Sequence, residues 1–473
     1  MTKHLTLADL LEAWMGERPE GLEIPVFPVL DSREAGNTSV FFAFKGEHVD
    51  GHDYVEDAFS RGAVAAVIER DVSSEAQMVD VANGLLPSML TTPLLIRVPD
   101  VLEALQQAAT FWRRQFDVRV VGVTGSVGKT TTKEVISRVL ARRYHVLHSQ
   151  GSYNNEIGLP LTLLHLNDAH QYVVLEMGMY VRGDIRALAQ IAQPQVGVLT
   201  NVEPVHAERA GSIENIALGK RELVEALPPA PTGVAILNHD DERVRAMAQA
   251  TEARVFFYGF SPQADLWADE VESLGLDGIR ARLHYQKERL YLRAPLLGRH
   301  SVHTVLRATA LGLVEGLTWQ EIAEGLRAPG AQLRLVSTAG PHGSIILDDT
   351  YNSSPPSALA ALNLLEDLEG RKIAVLGDML ELGDYEEEGH LKVGCRAADV
   401  VAHLIAVGEL AETLARGARL CGLPGECIHV VPDNDAAVAV LRELLQPEDV
   451  ILVKGSRALQ MENIVAQLQR EEA

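Results

Sequence analysis

At 473 residues the chain is too long for one hydrophobic core, and at about 100–200 residues per domain it implies about three. Apolar residues make up 47% and charged residues 23%, a composition that excludes a disordered or fibrous protein. With 65 acidic against 42 basic side chains the formal net charge is -23, which repels a nucleic-acid backbone and an anionic membrane surface alike, so any anionic ligand has to be held by a local site.

The first segment, MTKHLTLADLLEAWMGERPEG, mixes acids into its apolar residues and is not expected to be a signal peptide. No apolar run approaches the roughly 20 residues that cross a bilayer. GAVAAVIERD alternates like a short buried strand, and the turn-rich NGLLPSMLTTP after it, Asn83 to Pro93, is a first candidate boundary. VRVVGVTG, YVVLEMG and QVGVLTNV then alternate with helical segments, as βαβ units on a parallel sheet do. A second candidate boundary is RAPGAQLR, Arg327 to Arg334, where Pro329-Gly330 ends a helical pattern. Five more β-branched runs follow, GSIILDD, KIAVLGDM, HLIAVG, CIHVV and VILVKGS, which predict a second α/β sheet. Cys395, Cys421 and Cys427 form no C-x-x-C pair and show no zinc-like histidine spacing, which favours a reducing, cytoplasmic setting.

Polar residues recur where strands end: Glu176, Asn201, Asp348, Asp349, Asp378 and Lys454. In open parallel sheets ligands bind beyond the carboxyl ends of the strands, so these residues are candidates to line one edge. The competing reading is that any buried strand must end in something polar.

GSVGKTTTKE sits between a strand and a helix, the context of a phosphate loop: backbone N–H groups at a helix N-terminus face an anion, a lysine reaches the terminal phosphates and a hydroxyl ligates Mg²⁺. Gly125, Gly128, Lys129 and Thr130 carry it, but the strict G-x-x-x-x-G-K-[ST] pattern fails at Val123. Further on, Ser212 is a good N-cap, and Ile213, Ile216, Ala217, Leu223, Val224 and Leu227 trace the apolar stripe of a helix that ends at Pro228-Pro229. Lys220 lies on that stripe. Either burial depresses its pKa and makes it a neutral amine, or its stem snorkels to solvent. His206 falls in the preceding loop and is of interest only together with Glu176 and Lys220.

TGSVGKTTTKE, GSYNNEIGLPLTLL, LEMGM, TNVEPVHAERAGS, the Lys220 helix, DDTYNSSPPS, VLGDMLELG and LVKGSRALQME occur in the order found in the Mur ligases, and the chain resembles that family over almost its whole length. The resemblance is nearest to members that join D-alanyl-D-alanine to UDP-N-acetylmuramoyl-tripeptide with ATP. It implies an α/β protein of three domains: a small UDP-sugar-binding domain at 1–97, a central P-loop parallel-sheet ATPase domain at 98–333 and a C-terminal Rossmann-like domain at 334–473. It further implies that Thr124, Gly125, Ser126, Val127, Gly128, Lys129, Thr130 and Thr131 cradle ATP, helped by Asn154 and Asn155. Thr130 and Glu176 would hold one Mg²⁺, and His206 with a carbamylated Lys220 a second. Arg334, Asp349 and Tyr351 would contact the nucleotide, and Asn352, Lys454, Ser456 and Arg457 the transferring phosphate or the incoming amine. Asp31, Ser32, Arg33, Lys45 and Gly46 would hold the UDP-muramoyl end, although Asp31 to Arg33 equally fit a surface turn. The expected partners are small molecules, with no nucleic acid, no membrane insertion and a monomeric chain. Two departures stand out: GRHSVHT keeps His300 but has Ser301 and Thr304 where the family carries asparagines, and Ser354 replaces another. A ligase adding a different amine, and a nucleotide-binding scaffold without catalysis, are the alternatives.

Overall fold

The computed structural model describes residues 3–46, 49–84, 89–205, 207–328 and 335–470. Three sheets follow one another along the chain. The first is wholly parallel, in the order β1-β2-β3-β5-β4, and consists of β1 (Phe27–Val29), β2 (Ser39–Phe42), β3 (Ala65–Ile68), β4 (Gln77–Asp80) and β5 (Leu94–Arg97). β5 pairs with both β3 and β4, so the strands on either side of the candidate boundary belong to one sheet, while residues 85–88 of that stretch lie outside the described residues. The sequence cue failed there because Leu94 to Ile96 is too short a run to outweigh the turn residues before it; its burial comes from pairing on both sides.

The second sheet has nine strands: β6 (Arg119–Thr124), β7 (Val146–His148), β8 (Tyr172–Glu176), β9 (Val196–Leu199), β10 (Val234–Asn238), β11 (Arg254–Gly259), β12 (Leu266–Ser273), β13 (Ile279–Tyr285) and β14 (Glu288–Ala294). β6 lies between β8 and β9, and every pairing from β7 to β12 is parallel, as the βαβ rhythm predicts. At its far edge the expected parallel sheet is extended by β13 and β14, which with β12 run antiparallel. These three strands alternate buried with exposed residues, the pattern of a sheet with one wet face.

The third sheet contains β15 (Val336–Ala339), β16 (Ile345–Asp348), β17 (Lys372–Gly377), β18 (His403–Val407), β19 (Ile428–Val431) and β20 (Val450–Lys454), in the order β15-β16-β20-β17-β18-β19. Five are the predicted runs in parallel pairing, and β15 adds an antiparallel edge. Cys395 and Cys421 are joined by a disulfide, a pairing that their spacing did not announce. The helices that carry them are pressed together at glycine: a Cβ on Gly394 or Gly417 would run into the backbone carbonyl of Leu414 or Leu391.

The first two sheets share one hydrophobic cluster, in which the helix Val101–Arg113 is central. Trp112 is completely buried there and donates its indole N–H to Leu166 O at 3.0 Å, while Trp14 donates to Ala104 O at 2.8 Å. Among the described residues, no helix is long and apolar enough to cross a membrane.

Candidate functional site

β6 delivers the phosphate loop at its carboxyl end, and the helix Lys129–Leu140 leaves from it. Gly125 has φ 143°, and a Cβ there would come within 1.8 Å of Thr200 Oγ1, so no other residue fits the approach to β9. Gly128, at φ 83°, is the N-cap and makes no side-chain cap bond. Asn201 holds the turn in shape: its backbone oxygen accepts from Ser126 N and its Oδ1 from Val127 N, both at 2.9 Å. Thr124 Oγ1 donates to Met177 O at 2.8 Å and fixes the loop's entry. Lys129 folds back over the loop and donates to Gly125 O at 3.0 Å and Ser126 O at 3.2 Å. Thr131, the third residue of the helix, is half-buried.

Glu176, the last residue of β8, is 1% exposed. Its two carboxylate oxygens accept from Thr130 Oγ1 and Asn154 Nδ2, each at 2.8 Å. A hydroxyl and a carboxylate at a helix N-terminus are hard oxygen donors, the chemistry that suits Mg²⁺. Asn155 has a different place: its Oδ1 accepts from Gly158 N at 2.9 Å and so starts the helix Gly158–Leu164. The loop bearing both asparagines is secured by Lys133, which is fully buried and donates to Ser149 O at 2.5 Å and Gly151 O at 2.8 Å. Lys133 follows Lys129 by one helical turn, so its signal was present in GKTTTKE but had no role in the motif.

The helix Ile213–Glu225 begins at Ser212, whose hydroxyl accepts from Asn215 N, and buries Ile216, Leu223 and Val224. Lys220 is 5% exposed, which excludes the snorkelling alternative. No described residue hydrogen-bonds or ion-pairs with its amine. Burial, together with the charge of Lys129, holds its pKa well below the usual lysine value. His206 and Arg334 lie outside the described residues. Among the described residues no three His, Cys, Asp or Glu side chains converge as a ready-made metal site.

The third sheet brings its own group to the loop that bears Asn154 and Asn155. Lys454, 1% exposed at the end of β20, pairs with Asp349 Oδ2 at 2.6 Å and donates to Asn352 O at 2.8 Å. Tyr351 Oη lies 2.6 Å from Ser152 Oγ, joining this group to the asparagine loop. Ser456 Oγ accepts from Leu380 N at 2.9 Å, and the exposed Arg457 pairs with Glu462 Oε1 at 3.0 Å with its guanidinium 5.9 Å from the Tyr351 ring centre. Asp378 stands apart: its carboxylate accepts from Glu409 N and Leu410 N and is absorbed in holding that turn, the structural reading of a polar strand end.

Models of the Mur ligase middle domain, the Mur ligase glutamate ligase domain and the Mur ligase family catalytic domain match residues 123–312, 333–457 and 27–113. The UDP-N-acetylmuramoyl-tripeptide--D-alanyl-D-alanine ligase of Synechocystis sp. is 36% identical over 93% of this chain and 91% of its own length; that of Bacillus subtilis is 35% identical over 93% and 92%. The chain belongs to the Mur ligase family. Among solved structures, MurF from Acinetobacter baumannii superimposes with a TM-score of 0.85 at 30% identity, covering 98% of each chain. MurF from Thermotoga maritima in complex with ADP superimposes with 0.77 at 27% identity, over 94% of this chain and 97% of that one.

Within this Mur ligase the first-domain candidates make local contacts. Asp31 accepts from Arg33 N at 2.9 Å and pairs with the Arg33 guanidinium at 2.5 Å; these bonds to Arg33 hold its carboxyl down at about 2. Ser32 is buried beside them, Lys45 and Asp50 pair through their backbones in an isolated antiparallel bridge, and Gly46 N donates to Val49 O at 2.8 Å. The surface-turn reading of Asp31 to Arg33 therefore describes their local geometry. The departures from the family pattern have local duties as well. Ser354 caps the helix Pro355–Asp367 in a reciprocal box with Ser357. Ser301 Oγ donates to Leu297 O at 2.6 Å, and Thr304 Oγ1 accepts from Arg307 Nη2 at 2.9 Å.

Proposed function

We propose that this Mur ligase joins D-alanyl-D-alanine to UDP-N-acetylmuramoyl-tripeptide at the expense of ATP, giving the pentapeptide precursor of peptidoglycan. The observation that carries the reading is the buried amine of Lys220, without a partner among the described residues, beside Lys129. A neutral amine can add CO₂ and lose a proton to become a carbamate, which converts a buried cost into an anionic oxygen ligand. The names of the relatives supply the substrates, since both curated relatives are ligases of this dipeptide and this nucleotide tripeptide.

A carboxylate is a poor acyl donor, so the terminal carboxylate of the tripeptide attacks the γ-phosphate of ATP, releasing ADP and leaving an acyl phosphate. The amine of D-alanyl-D-alanine then attacks the acyl carbon, and phosphate departs from the tetrahedral intermediate. Residues 124–131 cradle the nucleotide, with Lys129 moving from the loop carbonyls to the phosphates. Thr130 and Glu176 would hold one Mg²⁺, and carbamylated Lys220 with His206 a second; the ions would supply charge neutralisation between two anionic reactants. Asn154 orients Glu176, and Asn155 shapes the turn that presents it. Lys454, kept in place by Asp349 and Asn352, reaches the transferring phosphate, with Ser456, Arg457, Arg334 and Tyr351 around it. Asp31, Ser32, Arg33, Lys45 and Gly46 take the UDP end. The domain borders fall at 97/98 and 333/334, and the enzyme works as a cytoplasmic monomer.

Purified protein given ATP, Mg²⁺, the UDP-muramoyl tripeptide and a panel of amines tests this directly. Phosphate release is expected with D-alanyl-D-alanine and to be far weaker with single amino acids or diamino acids. Faster release with one of those would assign a different acceptor, and no release with any amine would leave only nucleotide binding.

A further inference from the structure

We propose that Arg307 is a nucleotide-phosphate ligand of this chain, a contact made from the helix Val302–Val314 to the side of the phosphate loop opposite the asparagine loop. The inference rests on the ligase reading above, because it assumes that the loop binds a nucleotide.

Arg307 is 5% exposed, an unusual place for a guanidinium without a carboxylate. No described acidic group pairs with it. Of its five N–H donors, Nη2 donates to Thr304 Oγ1 at 2.9 Å and Nη1 reaches Tyr258 Oη at 3.5 Å, while the buried Nε has no partner among the described residues. Both partners are neutral hydroxyls, so neither offsets the charge. The group is nevertheless aimed at the loop: a Cβ built on Gly128 would stand 3.4 Å from Arg307 Nη2.

Its position is fixed rather than adaptable. Thr304 holds it from one turn earlier on the helix. Tyr258 lies beneath it, with the guanidinium 5.8 Å from the ring centre, and donates its own hydroxyl to Leu199 O at 2.8 Å. Leu199 closes β9 next to Thr200, against which Gly125 packs. The guanidinium is thus tied to the same strand end that shapes the phosphate loop, and holds a preformed donor edge beside the N-cap of the helix Lys129–Leu140.

An uncompensated buried cation requires an anion, and a planar edge of N–H donors matches two oxygens of one phosphate. A nucleobase would accept hydrogen bonds but leave the charge standing. Thr304 occupies a position where the family carries asparagine, and here its hydroxyl serves Arg307.

The test compares wild type with Arg307→Met, which keeps the apolar stem, and Arg307→Gln, which keeps a donor without the charge. Binding of ADP and adenosine is measured by calorimetry at fixed ionic strength, and the nucleotide-free proteins are melted. Both variants are expected to bind ADP about ten- to a hundredfold more weakly, the worth of a charge-assisted contact, with adenosine affinity changed less than about threefold. The nucleotide-free melting temperature should hold or rise, because an unpaired buried charge has been removed. ADP affinity within about twofold of wild type would overturn the assignment, as would an equal loss for adenosine, or a melting temperature lowered by several degrees in both variants. Failure of the wild type itself to bind ADP would instead sink the ligase reading.

Discussion

Replacing Lys220 by methionine separates what the amine does for stability from what it does for the reaction. The side chain is 5% exposed and its amine has no described partner, so the wild-type fold carries the cost of an unsatisfied buried polar group, about 1–3 kcal/mol. Methionine fills nearly the same volume with no such group. Lys220→Met is therefore expected to stabilise the carbonate-free protein by about 1–3 kcal/mol, a rise of roughly 2–4 °C per kcal/mol for a domain of this size. The pH dependence has a definite sign. The amine's folded pKa is depressed and its unfolded pKa is near 10.5, so between the two the unfolded chain binds the extra proton and stability climbs with pH. That slope should be missing from the methionine variant. Activity should move the other way: loss of a ligand that stabilises developing charge costs about 10²–10³-fold in kcat. Fluorescence-monitored melting from pH 7 to 10, phosphate release with and without bicarbonate, and intact mass for one added CO₂ on the wild type read all three effects. Wild-type rates in Lys220→Met, or a variant several degrees less stable than wild type in carbonate-free buffer, would refute the reasoning.

Asn154→Ala frees one oxygen of Glu176 and unpins the loop that Lys133 secures; kcat should fall about 10–100-fold while ADP affinity, read by calorimetry, changes only a few-fold. Lys454→Met removes the 2.6 Å ion pair with the largely buried Asp349 and is expected to lower stability in urea unfolding, with a smaller loss when Asp349→Asn is added. Tyr351→Phe removes the 2.6 Å link to Ser152; being solvent-accessible, that bond should be worth only about 0.5–1.5 kcal/mol, seen as a KM change for ATP below tenfold at nearly constant kcat.

The parts of this fold that were legible in the sequence are those whose signal is local. A strand, a glycine turn and a lysine at fixed spacing announced the phosphate loop, and Ser212 with the apolar stripe announced the helix that buries Lys220. The antiparallel β12 to β14 extension was not read, because half-buried alternation is a weaker cue than a run such as YVVLE. The site's remaining constraints are relations between distant segments. Ser152 meets Tyr351 across 199 residues and Lys454 meets Asn352 across 102, and neither spacing leaves a periodic trace. Lys133 and Arg307 show why charge is the hardest feature to place. In sequence each is one cation on an amphipathic helix, indistinguishable from a solvated one. Only the fold reveals that Lys133 is satisfied by two carbonyls and a neighbouring glutamate at 3.0 Å, whereas Arg307 faces two hydroxyls and has an orphaned Nε. The first has its compensation inside the protein and so belongs to the architecture. The second has none among the described residues, and in a chain of net charge -23 a buried cation beside a phosphate loop adds to the local field that Lys129 offers an anionic substrate.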